Sequence, residues 1–113
     1  MSFQTSPVVP AARGFVKIKN DNNNNYSVKV KINNLAQPGR LTPPKKEYIV
    51  WMITKDNLTR NIGRLKSKSG LFSKRLKASL VTVTTFNPDN FMITAEDDGD
   101  ILYPGSTVIL RTN

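Results

Sequence analysis

From Tyr26 to Asn33 the chain alternates without a fault. Tyr26, Val28, Val30 and Ile32 fall on one face and Ser27, Lys29, Lys31 and Asn33 on the other, the period of a strand buried on one side. The shorter run "FVKIK" (Phe15 to Lys19) precedes it, separated by the cluster Asn20 to Asn25, which tolerates turn dihedrals and disfavours helix and strand. A hairpin is predicted, with Lys17, Lys19, Lys29 and Lys31 outward. "NLAQPGRLTPPKK" then carries a Pro-Gly turn and a Pro-Pro pair, which hold its residues extended or turned, as in a long crossing between sheets. It leads into "KEYIVWMITKDNLTRNIGRLK", where Tyr48, Val50 and Met52 point one way and Ile49, Trp51 and Ile53 the other. A run apolar on both faces suits a central strand covered on both sides. "KDN" turns it, and "TRNIGRLK" returns as its partner, with Ile62 and Leu65 out of step in a way that Gly63 accommodates as a bulge.

The β-branched run "SLVTVTTF" (Ser79 to Phe86) is joined by "NPDN" to "FMITAED" (Phe91 to Asp97), a second hairpin, and "DGDILYPG" turns into the last strand, "STVILRT". The spacing predicts an all-β fold: an immunoglobulin-like antiparallel β-sandwich of about seven strands. No segment has a convincing helical period, and Leu71 to Leu80 is the one place for a short helical turn. Tyr48, Val50, Trp51, Gly63 and Leu65 are expected to be structural, with Trp51 the core anchor and its indole N–H donating to a carbonyl. Met1 to Arg13, "MSFQTSPVVPAAR", lacks the pattern of a leader or a helix start and reads as a disordered tail or linker. Residues 14–113 then form a single domain, as the length of 113 residues suggests.

These elements resemble the extracytoplasmic C-terminal domain of bacterial anti-sigma factors of the anti-sigma-K type. In that family a Trp-containing strand leads through a turn to a Gly-Xaa-Leu step, and a later strand ends in a Thr-Xaa-Glu step before a Gly-rich turn and a Pro-Xaa-Gly approach to the final strand. Trp51, Gly63, Leu65, Glu96, Gly99 and Pro104 occupy those places. The resemblance covers the last two thirds of the chain and rests on the order and spacing of its motifs. It implies a sandwich fold and an extracytoplasmic location, in the periplasm, at the cell surface or secreted. It implies no ligand. The helical sigma-binding segment, the zinc-binding segment and the membrane helix of such proteins have no counterpart here, so a stand-alone relative is expected.

With no histidine and no cysteine, the chain lacks the commonest general base, the thiol nucleophile and the usual transition-metal ligands. A non-enzymatic protein without cofactors is expected. Glu96, Asp97, Asp98 and Asp100 form the one acidic cluster. They are either a solvated turn with an Asp-Gly step or a convergent carboxylate group, although "EDDGD" lacks the alternate spacing and distal Glu of an EF-hand loop. Charge points elsewhere. The formal net charge is +9, and Arg60, Arg64, Lys66, Lys68, Lys74, Arg75 and Lys77 follow one another with no acid between them. Such a segment either keeps a face solvated or binds a partner, an unknown protein, an anionic glycan or lipid surface, or nucleic acid. Phe72, the aromatic inside it, either closes the sandwich edge or protrudes as an apolar tip. A cytoplasmic nucleic-acid-binding protein is the alternative reading, and it requires aromatics interleaved with the cations, which the segment does not obviously supply.

Overall fold

In the computed structural model, which describes residues 1–21, 23–69 and 75–112 apart from the side chains of 68, 69 and 75, two four-stranded antiparallel sheets pack face to face. The strands are β1 (Arg13–Asn20), β2 (Tyr26–Ala36), β3 (Glu47–Thr54), β4 (Thr59–Arg64), β5 (Lys66–Ser69), β6 (Arg75–Thr84), β7 (Pro88–Glu96) and β8 (Val108–Arg111). The first sheet has the order β1-β2-β6-β5 and the second β4-β3-β7-β8, which is the ABED and C′CFG arrangement of an immunoglobulin-type sandwich. Among the described residues eight strands replace the expected seven or so. The additional one is β5, "KSKS", whose alternation of charged and small polar residues hides its strand character until it pairs with β6, Lys66 opposite Ser79 and Lys68 opposite Lys77. Leu65, buried between β4 and β5, is the point at which the chain passes from the second sheet to the first. The helical turn considered for Leu71 to Leu80 is strand from Arg75 onward, and residues 71–74 lie outside the described residues.

The long crossing holds as expected. A short 3-10 turn, Pro38–Arg40, and the cis Thr42–Pro43 bond carry the chain from β2 in one sheet to β3 in the other. Two of the bulges keep apolar side chains inward despite an extra residue. In β2 the register shifts between Ile32 and Leu35, with Asn34 left-handed at φ 59°, so that Leu35 returns to the core opposite Leu76. In β4 it shifts at Ile62 and Gly63, the latter at φ 135°, a conformation that glycine alone adopts easily.

Residues 1–13 are packed, contrary to the expected tail. Phe3, Val9 and Ala12 are buried, Phe3 N–H donates to Gly14 C=O and Val16 N–H to Met1 C=O, while Gln4 N–H donates to Arg111 C=O and Phe3 pairs with Thr112. The segment therefore runs from the edge of β1 to the end of β8 and ties the two sheets. Its proline-rich composition signals irregular backbone, and irregular backbone packs when its few apolar residues meet an open core edge.

Between the sheets lie Val16, Val28, Val30, Ile32 and Leu35 from the first and Tyr48, Val50, Met52, Phe91, Ile93 and Ile109 from the second. Tyr48 donates its hydroxyl to Ala36 C=O at 2.7 Å, and burial pushes its pKa up from 10 to about 12. Stability from this site is intact below pH 10 and falls as the pH climbs towards 12, because the unfolded chain ionises first. The expected slope is about 1.4 kcal/mol per pH unit. In Tyr48→Phe the hydrogen bond is lost, at about 1 kcal/mol, but so is that slope, and urea midpoints of the two proteins should converge between pH 10 and 12. Parallel curves would mean that another group governs alkaline unfolding.

The alternate side chains of β3 form a second cluster on the far face of the second sheet. Ile49, Trp51 and Met92 are buried there against Ile53, Ile101 and Val108, and residues 97–107 cover them. Trp51 is fully buried, but it faces this outer cluster rather than the space between the sheets, and its indole N–H donates to the Thr94 hydroxyl at 2.8 Å rather than to a carbonyl. Thr94 in turn donates to Glu96 Oε2 at 2.6 Å, which also accepts the Gly105 N–H at 2.8 Å. From the other side, Asn61 Nδ2 donates to the carbonyls of Gly99 and Ile101. The covering loop is thus held by a carboxylate at one end and an amide at the other.

Candidate anion-binding face

Because side chains alternate along a strand, burying Val16, Val28, Val30, Ile32, Leu76 and Ala78 sends their neighbours to the outer face of the first sheet. Lys17, Lys19, Lys29, Lys31, Lys66 and Lys77 are all exposed. Register then sets the pattern: Lys17 lies opposite Lys29, which lies opposite Val81, and Phe15 lies opposite Lys31, which is followed by Ser79 and Lys66 across the sheet. None of the four strands contains an Asp or Glu. With strands about 4.8 Å apart and same-face residues about 6.8 Å apart along each, the lysines spread over both dimensions of one surface.

Like charges opposite one another in a sheet are destabilising, and among the described residues no ion pair on this face relieves them. The two ion pairs among the described residues, Lys45 with Asp97 and Arg64 with Glu47, belong to the other half of the molecule. The nearest acid in sequence is Asp21, in the turn between β1 and β2, whose Oδ1 accepts the backbone N–H groups of Asn25 and Asn23; these bonds hold its carboxyl below the usual range. Arg13 sits at the margin, with its guanidinium donating to the carbonyls of Pro10 and Ala12. Three apolar side chains stand among the lysines: Phe15 at 41% exposure, Val81 at 66% and Val83 at 65%.

The basic segment expected to act as one patch is divided between the sheets. Lys66 and Lys77 join the lysines of the first hairpin, whereas Arg60 and Arg64 lie on β4 in the second sheet. There the Arg60 guanidinium stacks 3.9 Å from the centroid of the Phe86 ring and Arg64 is paired to Glu47. The reason is the crossing at Leu65, which sequence proximity conceals. Lys68 and Arg75 lie within β5 and β6, while Phe72 and Lys74 fall outside the described residues. The exposure of Phe15, Val81 and Val83 is not expected from their apolar side chains. Their parity was the available signal, since each is an even number of residues from an outward lysine.

The acidic residues do not converge. Glu96 is buried as the anchor of the covering loop, Asp97 faces Lys45 at 3.9 Å, and Asp98 Oδ1 accepts the Asp100 N–H at 2.9 Å. Among the described residues no three His, Cys, Asp or Glu side chains are grouped to hold a metal ion, and no helix is long and apolar enough to cross a membrane. Tyr48, Val50, Gly63 and Leu65 serve the scaffold as described above. No protein-family model, curated protein or solved structure matches the chain.

Proposed function

We propose that this protein is a non-enzymatic binding module of the bacterial cell envelope that docks on an anionic partner through the outer face of its first sheet. One observation carries the reading: four adjacent strands present exposed lysines without a single carboxylate, in a register that sets cation against cation. A face built only for solubility mixes signs, because alternating charges attract across strands. The envelope location rests on the resemblance to anti-sigma-K domains.

Binding and stability should therefore respond to the same substitutions in opposite directions. Lys17→Gln and Lys29→Gln together are expected to raise the unfolding free energy by a few tenths of a kcal/mol to about 1 kcal/mol, while weakening retention on immobilised heparin and flattening its salt dependence. Arg60→Gln with Arg64→Gln should leave heparin retention nearly unchanged, since their side chains are engaged elsewhere. Equal losses from both pairs, or no retention near 0.15 M salt, would sink the proposal. Phe15 favours a second reading, in which single-stranded nucleic acid stacks a base on that ring between flanking cations. Labelled oligonucleotides run beside heparin test it, and a loss specific to oligonucleotides in Phe15→Ser is its signature.

A further inference from the structure

We infer that the anionic partner is a lipid bilayer surface carrying acidic headgroups, an inference that rests on the anion-binding reading above. Two features of the face separate a surface from a polymer. The first is its breadth: lysines occur on all four strands, from Lys17 on β1 through Lys29 and Lys31 on β2 to Lys77 on β6 and Lys66 on β5. A linear polyanion follows one track and neutralises the cations along it. A sheet of headgroups meets all of them together, and each lysine near such a surface adds to the attraction.

The second feature is what stands between the cations. Val81 and Val83 are two residues apart on β6, opposite Lys29 and Ser27, and both are about two-thirds exposed. Valine has no π face, so it does not stack on a nucleobase, and it offers nothing to the hydroxyls and sulfates of a glycan. At the boundary between headgroups and acyl chains, such groups gain from leaving water while the lysine ammonium groups stay among the phosphates. Phe15, on the same face, extends this apolar set. Cations and apolar groups facing one way is the arrangement of an interfacial binder, here made from a sheet instead of a helix.

The test is co-sedimentation of the intact chain with vesicles of phosphatidylcholine alone and of phosphatidylcholine mixed equally with phosphatidylglycerol, with heparin retention measured in parallel. The expected result is binding to the acidic vesicles only. Lys29→Gln should lower it about fivefold, and Val81→Thr with Val83→Thr about three- to tenfold. The double valine variant should keep its heparin retention, and an unchanged melting temperature checks its fold. Heparin retention without vesicle binding overturns the lipid inference and leaves the anion-binding face standing. Vesicle binding indifferent to the valines overturns the interfacial mode and reduces the contact to charge alone. Failure of both heparin and acidic vesicles overturns the inference together with the reading on which it rests.

Discussion

Replacing Trp51 by alanine is expected to lower the unfolding free energy by about 3–5 kcal/mol. The side chain is fully buried at the centre of the cluster formed with Ile49 and Met92, so truncation removes its own burial and opens a cavity. It also removes the donor to Thr94. Trp51→Phe retains most of the volume and should lose clearly less. Urea midpoints, with the slope checked for constancy, measure both. The lysine face lies on the other sheet, so heparin retention of the folded Trp51→Ala protein should be unchanged. A loss below about 1.5 kcal/mol would mean that the covering loop is not closed over the cluster and that Trp51 is in practice a surface residue.

Glu96→Ala is the second. Its carboxylate accepts from the Thr94 hydroxyl and from the Gly105 N–H, and bonds to an ionised acceptor contribute about 1.5–3 kcal/mol each. Removing it leaves both donors without that partner and frees the loop that closes over Trp51, so a loss of about 3 kcal/mol is expected. Glu96→Gln keeps an acceptor oxygen in place and should fall between. Because Trp51, Thr94 and Glu96 share one chain of bonds, Trp51→Ala combined with Glu96→Ala should cost less than the two losses added, by 0.5 kcal/mol or more. Strict additivity would show that the loop and the tryptophan are held independently. Hydrogen exchange at Gly105, faster in Glu96→Ala than in the parent, separates release of the loop from general loosening.

Strands with a strong apolar pattern, on one face or on both, were legible in the sequence. β2 alternates cleanly, and β3, apolar on both sides, announced its position at the centre of a sheet with both faces covered. What escaped was decided by partners. β5 has no apolar side and becomes a strand only by bonding to β6. The first thirteen residues contain too few apolar groups to show a period, and they pack because the sandwich leaves an edge for Phe3 and Val9. The candidate site was half legible for the same reason. Outward lysines in the first hairpin follow from parity, whereas the separation of Arg60 and Arg64 from Lys66 and Lys77 depends on a change of sheet at one residue. Linear charge runs do not survive such a crossing.

The bridge between Phe3 and Thr112 also bears on the order of folding. It joins positions at nearly opposite ends of the chain, and the loop it closes contains every strand. Closure entropy makes such a contact unfavourable until the intervening sheets exist, so it belongs after the rate-limiting step and not in the nucleus. On the ribosome the consequence is sharper. During synthesis residues 1–13 emerge well before β8, which Phe3 and Gln4 can meet only after the other strands have been made. The contact of this segment with β8 therefore follows the making of both sheets, and the tie between them is a late event of folding.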